Sequence, residues 1–356
     1  MPVSSEKNFE QKLKLFEEWL SQKENYINKK ITVTPHVSSQ ASGFSNETFS
    51  CLVEGKNIKE DIVLRIKPTG FQVFPEYNLA MQIEIMSKLR SIGFMVPEIT
   101  FHEKDENIIG AEFYVMKHIK GEAPSDNPPY HMDPEGMMGR ANPNQVRSVW
   151  LDWLENLSSL HKLDFKSLKL ECMDERMGEE CHLQKDLDFY KNFLEWGLDG
   201  EKHEVCEEAL EWLSINVPKD LNPTKLCWGD ARIGNILFND FKAVALLDWE
   251  MATIGDPLSD LAWGLTTDDA SSFGLSIEKI KGSMPQKEAL EIWEKKTGYS
   301  TKNFFYFRIL CLFKFSVIMV RVAKKLIYNE IMPLDSDFHV NNHISNYLKK
   351  EFYENN

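Results

Sequence analysis

Apolar residues recur along this chain with two different periods, and the change from one to the other divides it. Near the start, Phe9, Leu13, Phe16 and Leu20 fall on one stripe of an amphipathic helix. From about residue 31 to 121 the pattern is that of short strands broken by a single helix. Residues 48–53 and 61–66 alternate or run apolar on either side of Glu54-Gly55-Lys56-Asn57, which is a hairpin signal. Residues 75–90 then set Leu79, Ile83, Met86 and Arg90 on one helical face, Val96-Pro97 closes that element, and residues 111–119 read as a further strand.

Residues 122–144 carry Pro, Gly, Asp and Met without a sustained period and read as a long loop. Beyond it helical spacing dominates, over residues 149–163, 183–198, 202–215, 287–296 and 302–328. The clear β signal in that half is a hairpin over residues 234–249, with Asn239-Asp240-Phe241-Lys242 at its turn. The pattern predicts an α+β fold of two lobes. An antiparallel sheet with one main helix and a leading helix occupies residues 1–120, and a mostly helical lobe bearing the hairpin occupies residues 121–356.

Composition narrows the functions open to such a chain. A net charge of −14, with no basic stripe interleaved with aromatics, argues against nucleic acid as a partner. The surplus of carboxylates is compatible with a cationic substrate, and solubility explains it equally well. The six cysteines are scattered, without a C-x-x-C pair or a secretion signal, which fits reduced thiols and a cytoplasmic location. The apolar segment over residues 304–326 is interrupted by Arg308, Lys314 and Arg321, so it is expected to be a buried helix and not a membrane span.

The hairpin gathers residues with chemistry. Asn235 opens its first strand and Asp248 closes its second, so the turn returns both to one end, where their oxygens suit a magnesium ion. Asp230 lies five residues before Asn235, on a loop opened by Gly229. That D-x-x-x-x-N spacing belongs to kinase catalytic loops, in which the aspartate accepts a hydroxyl proton and the asparagine holds metal. Arg232 stands where a cation would steady a transferring γ-phosphoryl group, and Glu250 is a candidate second metal ligand. Further on, Asp256 can cap a helix with Pro257 at its first position, and Asp260 in the first turn favours the helix dipole.

Residues 227–263 resemble the aminoglycoside phosphotransferase and choline kinase superfamily, and within it the phosphotransferase domains found fused to acyl-CoA dehydrogenases. The resemblance extends to Phe44-Ser-Asn-Glu-Thr-Phe, Ile62-Val-Leu-Arg-Ile-Lys-Pro, Phe113-Tyr-Val-Met-Lys-His-Ile-Lys-Gly and Leu157-Ser-Ser-Leu-His. It implies a protein-kinase-like two-lobe fold with ATP and Mg2+ between the lobes. Residues 40–46, with Ser42, Gly43 and Ser45, would cover the phosphates, although Gly43 stands alone where protein kinases carry several glycines. Arg65 takes the place of the phosphate-binding cation, with Lys67 on the same strand face as the alternative. For the helical residue that orients this cation, Gln82 lies on the apolar face and Glu84 about 200° around from it, and both remain open. Residues Met116 to Ile119, with Met116 and His118 among them, resemble the hinge whose backbone would meet adenine. Trp228 departs from the family, in which histidine usually precedes this Gly-Asp pair.

These observations lead to the expectation of an ATP- and Mg-dependent phosphotransferase acting on a hydroxyl of a small molecule, of hydroxyacyl-CoA type in the nearer relatives. A nucleotide-binding pseudokinase and an aminoglycoside- or choline-type kinase are the alternatives. No membrane or nucleic-acid partner is expected, and the oligomeric state stays open.

Overall fold

The computed structural model describes residues 3–36, 47–176 and 182–355. The leading helix α1 (Val3–Ser21) lies against a five-stranded antiparallel sheet formed by β1 (Thr32–Pro35), β2 (Glu47–Gly55), β3 (Ile58–Ile66), β4 (Ile99–Glu103) and β5 (Phe113–Lys117). The strand order is β1-β2-β3-β5-β4. The β2–β3 turn uses Lys56 and Asn57, and Asn57 takes the left-handed φ of 61° that asparagine tolerates. Period-two alternation turns Ile62, Leu64 and Ile66 toward α1, where Phe16 and Trp19 meet Phe113 edge to face. It therefore turns Val63 and Arg65 to the other face, into the cleft.

Helix α2 (Leu79–Ser91) crosses that other face. It begins at Leu79, later than the apolar period indicates, because Asn78 Oδ1 accepts from the Met81 amide and caps it there. Its apolar residues Leu79, Ile85, Met86 and Leu89 belong to the larger hydrophobic core, shared with the helices that follow, while the sheet and α1 enclose a separate smaller core.

Those helices are α3 (Pro143–Lys162), α4 (His182–Leu198), α5 (Glu204–Ile215), α6 (Leu258–Ala270), α7 (Gln286–Thr297), α8 (Phe304–Tyr328) and α9 (His343–Asn355). Helix α3 starts earlier than the hydrophobic spacing indicates, because Asn142 and Gln145 form a capping box around Pro143. Two short pairs stand among them: β6 (Lys225–Cys227) with β9 (Thr253–Gly255), and β7 (Ile236–Asn239) with β8 (Lys242–Leu246). Asp240 and Phe241 at the β7–β8 turn both have positive φ, as a tight hairpin of this hand requires. Of the charges of α8, Arg308 is neutralised inside the helical lobe, where it pairs with Asp269 at 2.6 Å and Glu351 at 2.7 Å. Among the described residues no helix is long and apolar enough to cross a membrane, and no disulfide joins the cysteines.

Candidate active site

Strand β6 delivers the chain to Trp228-Gly229-Asp230, and a single buried carboxylate holds the turn that follows. Asp260, in the first turn of α6, accepts from the Trp228 amide at 2.6 Å and the Gly229 amide at 2.8 Å. On its other side lies His161, 3.1 Å away. Trp293 Nε1, which can only donate, bonds His161 Nδ1 at 3.0 Å, so the proton of His161 sits on Nε2 and is given to Asp260. Gly229 has φ +87°, and a Cβ there would stand 1.9 Å from the Met251 carbonyl oxygen. Only glycine fits.

Trp228 supports the same turn by packing. Its ring lies 5.8 Å from that of Trp249, and its Nε1 donates to the Leu247 carbonyl at 2.8 Å. The loop and hairpin are thus tied directly to each other.

The carboxylate of Asp230 then projects among four donor contacts. Trp263 Nε1 of α6 reaches Oδ1 at 2.6 Å, Asn235 Nδ2 reaches Oδ2 at 2.7 Å, and Arg232 Nε lies 3.1 Å from both oxygens. Asn235 also donates to the Asp230 carbonyl at 3.0 Å. Its amide nitrogen is committed to Asp230, and its side-chain oxygen is the end left for a cation. Arg232 is itself divided between two carboxylates: a second nitrogen bonds Asp126 on the loop before α3. The sequence pattern contains no sign of Asp126. Gly234 makes room for it, since a Cβ there would approach Asp126 Oδ1 to 2.6 Å.

Asp248 follows β8 with a left-handed φ of 58°, and the Leu247 amide bonds the Asn235 carbonyl at 2.8 Å, which joins the two ends of the hairpin. Across the cleft, Arg65 Nη2 lies 2.7 Å from Asp248 and 3.3 Å from Glu250. Burial opposes the charge of Arg65, but the two carboxylates hold it protonated. Asp248, Glu250 and the Asn235 amide are hard oxygen donors of the kind Mg2+ selects, and the two acids already gather a cation. Behind Arg65, the Tyr114 phenol, pushed up to about 12 by burial, donates to Gln82 Oε1 at 3.3 Å. Gln82 thus faces the cleft side of the sheet.

Glu84 does not. Its carboxylate accepts from the amides of Glu171 at 2.7 Å and Cys172 at 3.0 Å, capping a short turn of the helical lobe. This corrects the expectation of Glu84 at the phosphate-binding cation: the helix rotation between the two positions sends it to another neighbour. Lys67 is likewise turned to Glu112, 3.8 Å away, and Arg65 alone of the two meets the acids of the hairpin. Met116 is buried at the end of β5, and the His118 amide bonds the Asp61 carbonyl while its side chain is exposed. Ser42, Gly43 and Ser45 lie outside the described residues.

Asp256 caps α6, accepting from the Leu258 amide at 2.9 Å. Asp260 does more than face a helix dipole. The signal for its role was the histidine of Leu157-Ser-Ser-Leu-His, which the sequence leaves unassigned.

The description "Phosphotransferase enzyme family" matches residues 36–281. The chain belongs to that family. As a member of it the chain is an enzyme of the phosphotransferase class. Acyl-CoA dehydrogenase family member 11 of Pongo abelii is 28 % identical over 91 % of this chain and 40 % of its own length. The protein of the same name from Homo sapiens is 31 % identical over 70 % of this chain and 30 % of its own length. The chain thus spans well under half of the curated relatives it matches. A putative aminoglycoside phosphotransferase of Ralstonia eutropha superposes with a TM-score of 0.68 at 17 % identity, covering 95 % of this chain and 98 % of that one. A choline kinase of Streptococcus pneumoniae superposes with a TM-score of 0.57 at 14 % identity, covering 95 % and 99 %. These likenesses show the kinase-like α+β fold.

Proposed function

We propose that this phosphotransferase moves the γ-phosphoryl group of ATP, bound with Mg2+, to a hydroxyl of a small molecule. The observation that carries the reading is the Asp230 carboxylate, oriented by Asn235, Trp263 and Arg232 beside the pair of acids that Arg65 meets. Asp230 would take the hydroxyl proton as the acceptor oxygen bonds phosphorus and the bridging oxygen leaves with ADP. Its donors fix the carboxylate in place. Arg65 would move from Asp248 and Glu250 to the phosphates, leaving those acids and Asn235 to hold Mg2+, which neutralises the phosphate charge. Arg232, anchored on Asp126, would fix the base and add positive field near the transferring group. Gln82, through Tyr114, would support the wall behind Arg65, and Met116 and His118 would border the adenine. By family likeness Ser42, Gly43 and Ser45 would serve as phosphate contacts.

For the acceptor we propose a hydroxyacyl-CoA-type substrate, a reading supported by the relatives named as acyl-CoA dehydrogenases. The test is ADP release with Mg-ATP across hydroxyacyl-CoAs, amino alcohols, sugars and aminoglycosides. Turnover by Asp230→Ala at the wild-type rate would remove the base assignment. Tight ATP binding without turnover of any acceptor would favour a nucleotide-binding regulator instead.

A further inference from the structure

One indole away from Asp230 lies a cation that has no part in the phosphoryl transfer proposed above. Lys314 lies midway along α8, 8 % exposed, and among the described residues no hydrogen bond or ion pair holds its ammonium group. Its Nζ stands 4.8 Å from the ring centre of Tyr190 and 5.6 Å from that of Trp263. Trp263 is the indole that donates to Asp230, so one side chain separates the ammonium from the base.

Other cations of the helical lobe, buried Arg308 and half-buried Lys279 and Arg232, are neutralised. Arg308 has Asp269 and Glu351, Lys279 has Asp268 and Asp269, and Arg232 has Asp230 and Asp126. Burial opposes the charge of Lys314, while Tyr190, Asp186, Cys311 and Asp260 favour it, and the balance raises its pKa and keeps it protonated. Aromatic faces stabilise an ammonium only in part and satisfy none of its three N–H donors. Two turns further along α8 on the same face, Arg321 is held between Phe71 and Trp196, at 4.1 Å and 4.0 Å, and donates to the Gln72 carbonyl. The face that bears Lys314 therefore runs from the base toward the segment that follows the sheet strand of Arg65.

We propose that Lys314 determines acceptor specificity: its ammonium receives an acyl oxygen, carboxylate or thioester carbonyl, of the hydroxyl-bearing substrate, and its charge turns away quaternary ammonium and polyamine acceptors. The inference rests on the assignment of Asp230 as base. It places the acceptor hydroxyl at Asp230 and the oxygen group across the edge of Trp263. Local charge here opposes the overall acidity of the chain, which by itself would favour cationic substrates.

The test uses the full chain with Mg-ADP for binding and Mg-ATP for turnover. Short and medium-chain hydroxy acids, free and as CoA thioesters, are compared with choline and an aminoglycoside. At least one acyl probe is expected to raise Tm and to be phosphorylated, and the free acid and thioester arms identify which oxygen is bound. Lys314→Met keeps the stem of the side chain and loses the donors. It is expected to raise the acceptor KM about tenfold or more while the KM for ATP holds, with recovery in Lys314→Arg. Acyl probes that stabilise the wild type but not Lys314→Met, without phosphorylation, would keep Lys314 as an acyl-oxygen contact and overturn the assignment of Asp230 as base, and with it the role of Lys314 in acceptor specificity. An unchanged acceptor KM in Lys314→Met, better use of choline or the aminoglycoside by the wild type, or no Tm response to any acyl probe would overturn the inference.

Discussion

Replacing Asp260 by asparagine tests whether one carboxylate sets the geometry of the catalytic loop. The side chain is 1 % exposed and takes three hydrogen bonds, from the amides of Trp228 and Gly229 and from His161. The amide of Asp260→Asn would offer one oxygen and turn an NH2 toward donors, so at least one buried donor is orphaned, at a cost of about 1–3 kcal/mol. Loss of charge assistance in the surviving bonds adds about 1 kcal/mol, which brings the expected loss to about 3 kcal/mol. Asp230 is the next residue in the chain after Gly229, so part of the cost should appear as misplacement of the base. A shift of about 1 Å at a reacting group lowers rates by about a hundredfold. Urea unfolding should therefore show the stability loss, and ADP release should show kcat reduced by about that factor with the ATP KM within about threefold. A loss below about 1 kcal/mol with kcat within about twofold would refute the reasoning and leave Asp260 as a helix-dipole partner alone.

Arg65→Met should lower kcat/KM for ATP by about a hundredfold or more, since it removes the proposed charge-assisted phosphate contact and the guanidinium shared by Asp248 and Glu250; near-normal nucleotide kinetics would shift that role to Lys67. Gly229→Ala should cost about 3 kcal/mol or more in urea unfolding, because the left-handed backbone and the Met251 carbonyl both exclude a methyl group; a stable variant would contradict the turn geometry. His203 is buried against Ser345, and burial, assisted by His339, lowers its pKa from 6.5 to about 4. The unfolded chain binds the proton first as pH falls, so this contribution is complete above pH 6.5 and is lost toward pH 4, by about 3 kcal/mol in all. His203→Gln should flatten that part of the stability profile, and an unchanged pH slope would refute the assignment.

Local order explains what could be read in advance. The stripe of α1, the β2–β3 hairpin, the β7–β8 hairpin and the apolar α8 announce themselves through periodicity and turn residues, which act between near neighbours in the chain. The spacing of Asp230, Asn235 and Asp248 is legible for the same reason, because one hairpin and the loop leading into it carry all three. Strands β6 and β9 are three residues each and pair across an intervening hairpin, so neither shows a period. Glu84 and Gln82 differ by a helix rotation whose consequence depends on which partner waits on each side: backbone amides of the helical lobe for one, Tyr114 for the other. The meeting of Asp126 with Arg232, of Asp260 with the loop before the base, and the absence of a partner for Lys314 among the described residues join distant segments of the chain. By itself the sequence determined the periodic elements and the phosphate chemistry, since both arise from short spacings. Tertiary structure alone decided which charges meet an opposite charge and which do not, because burial and pairing of charge depend on residues that only folding brings together.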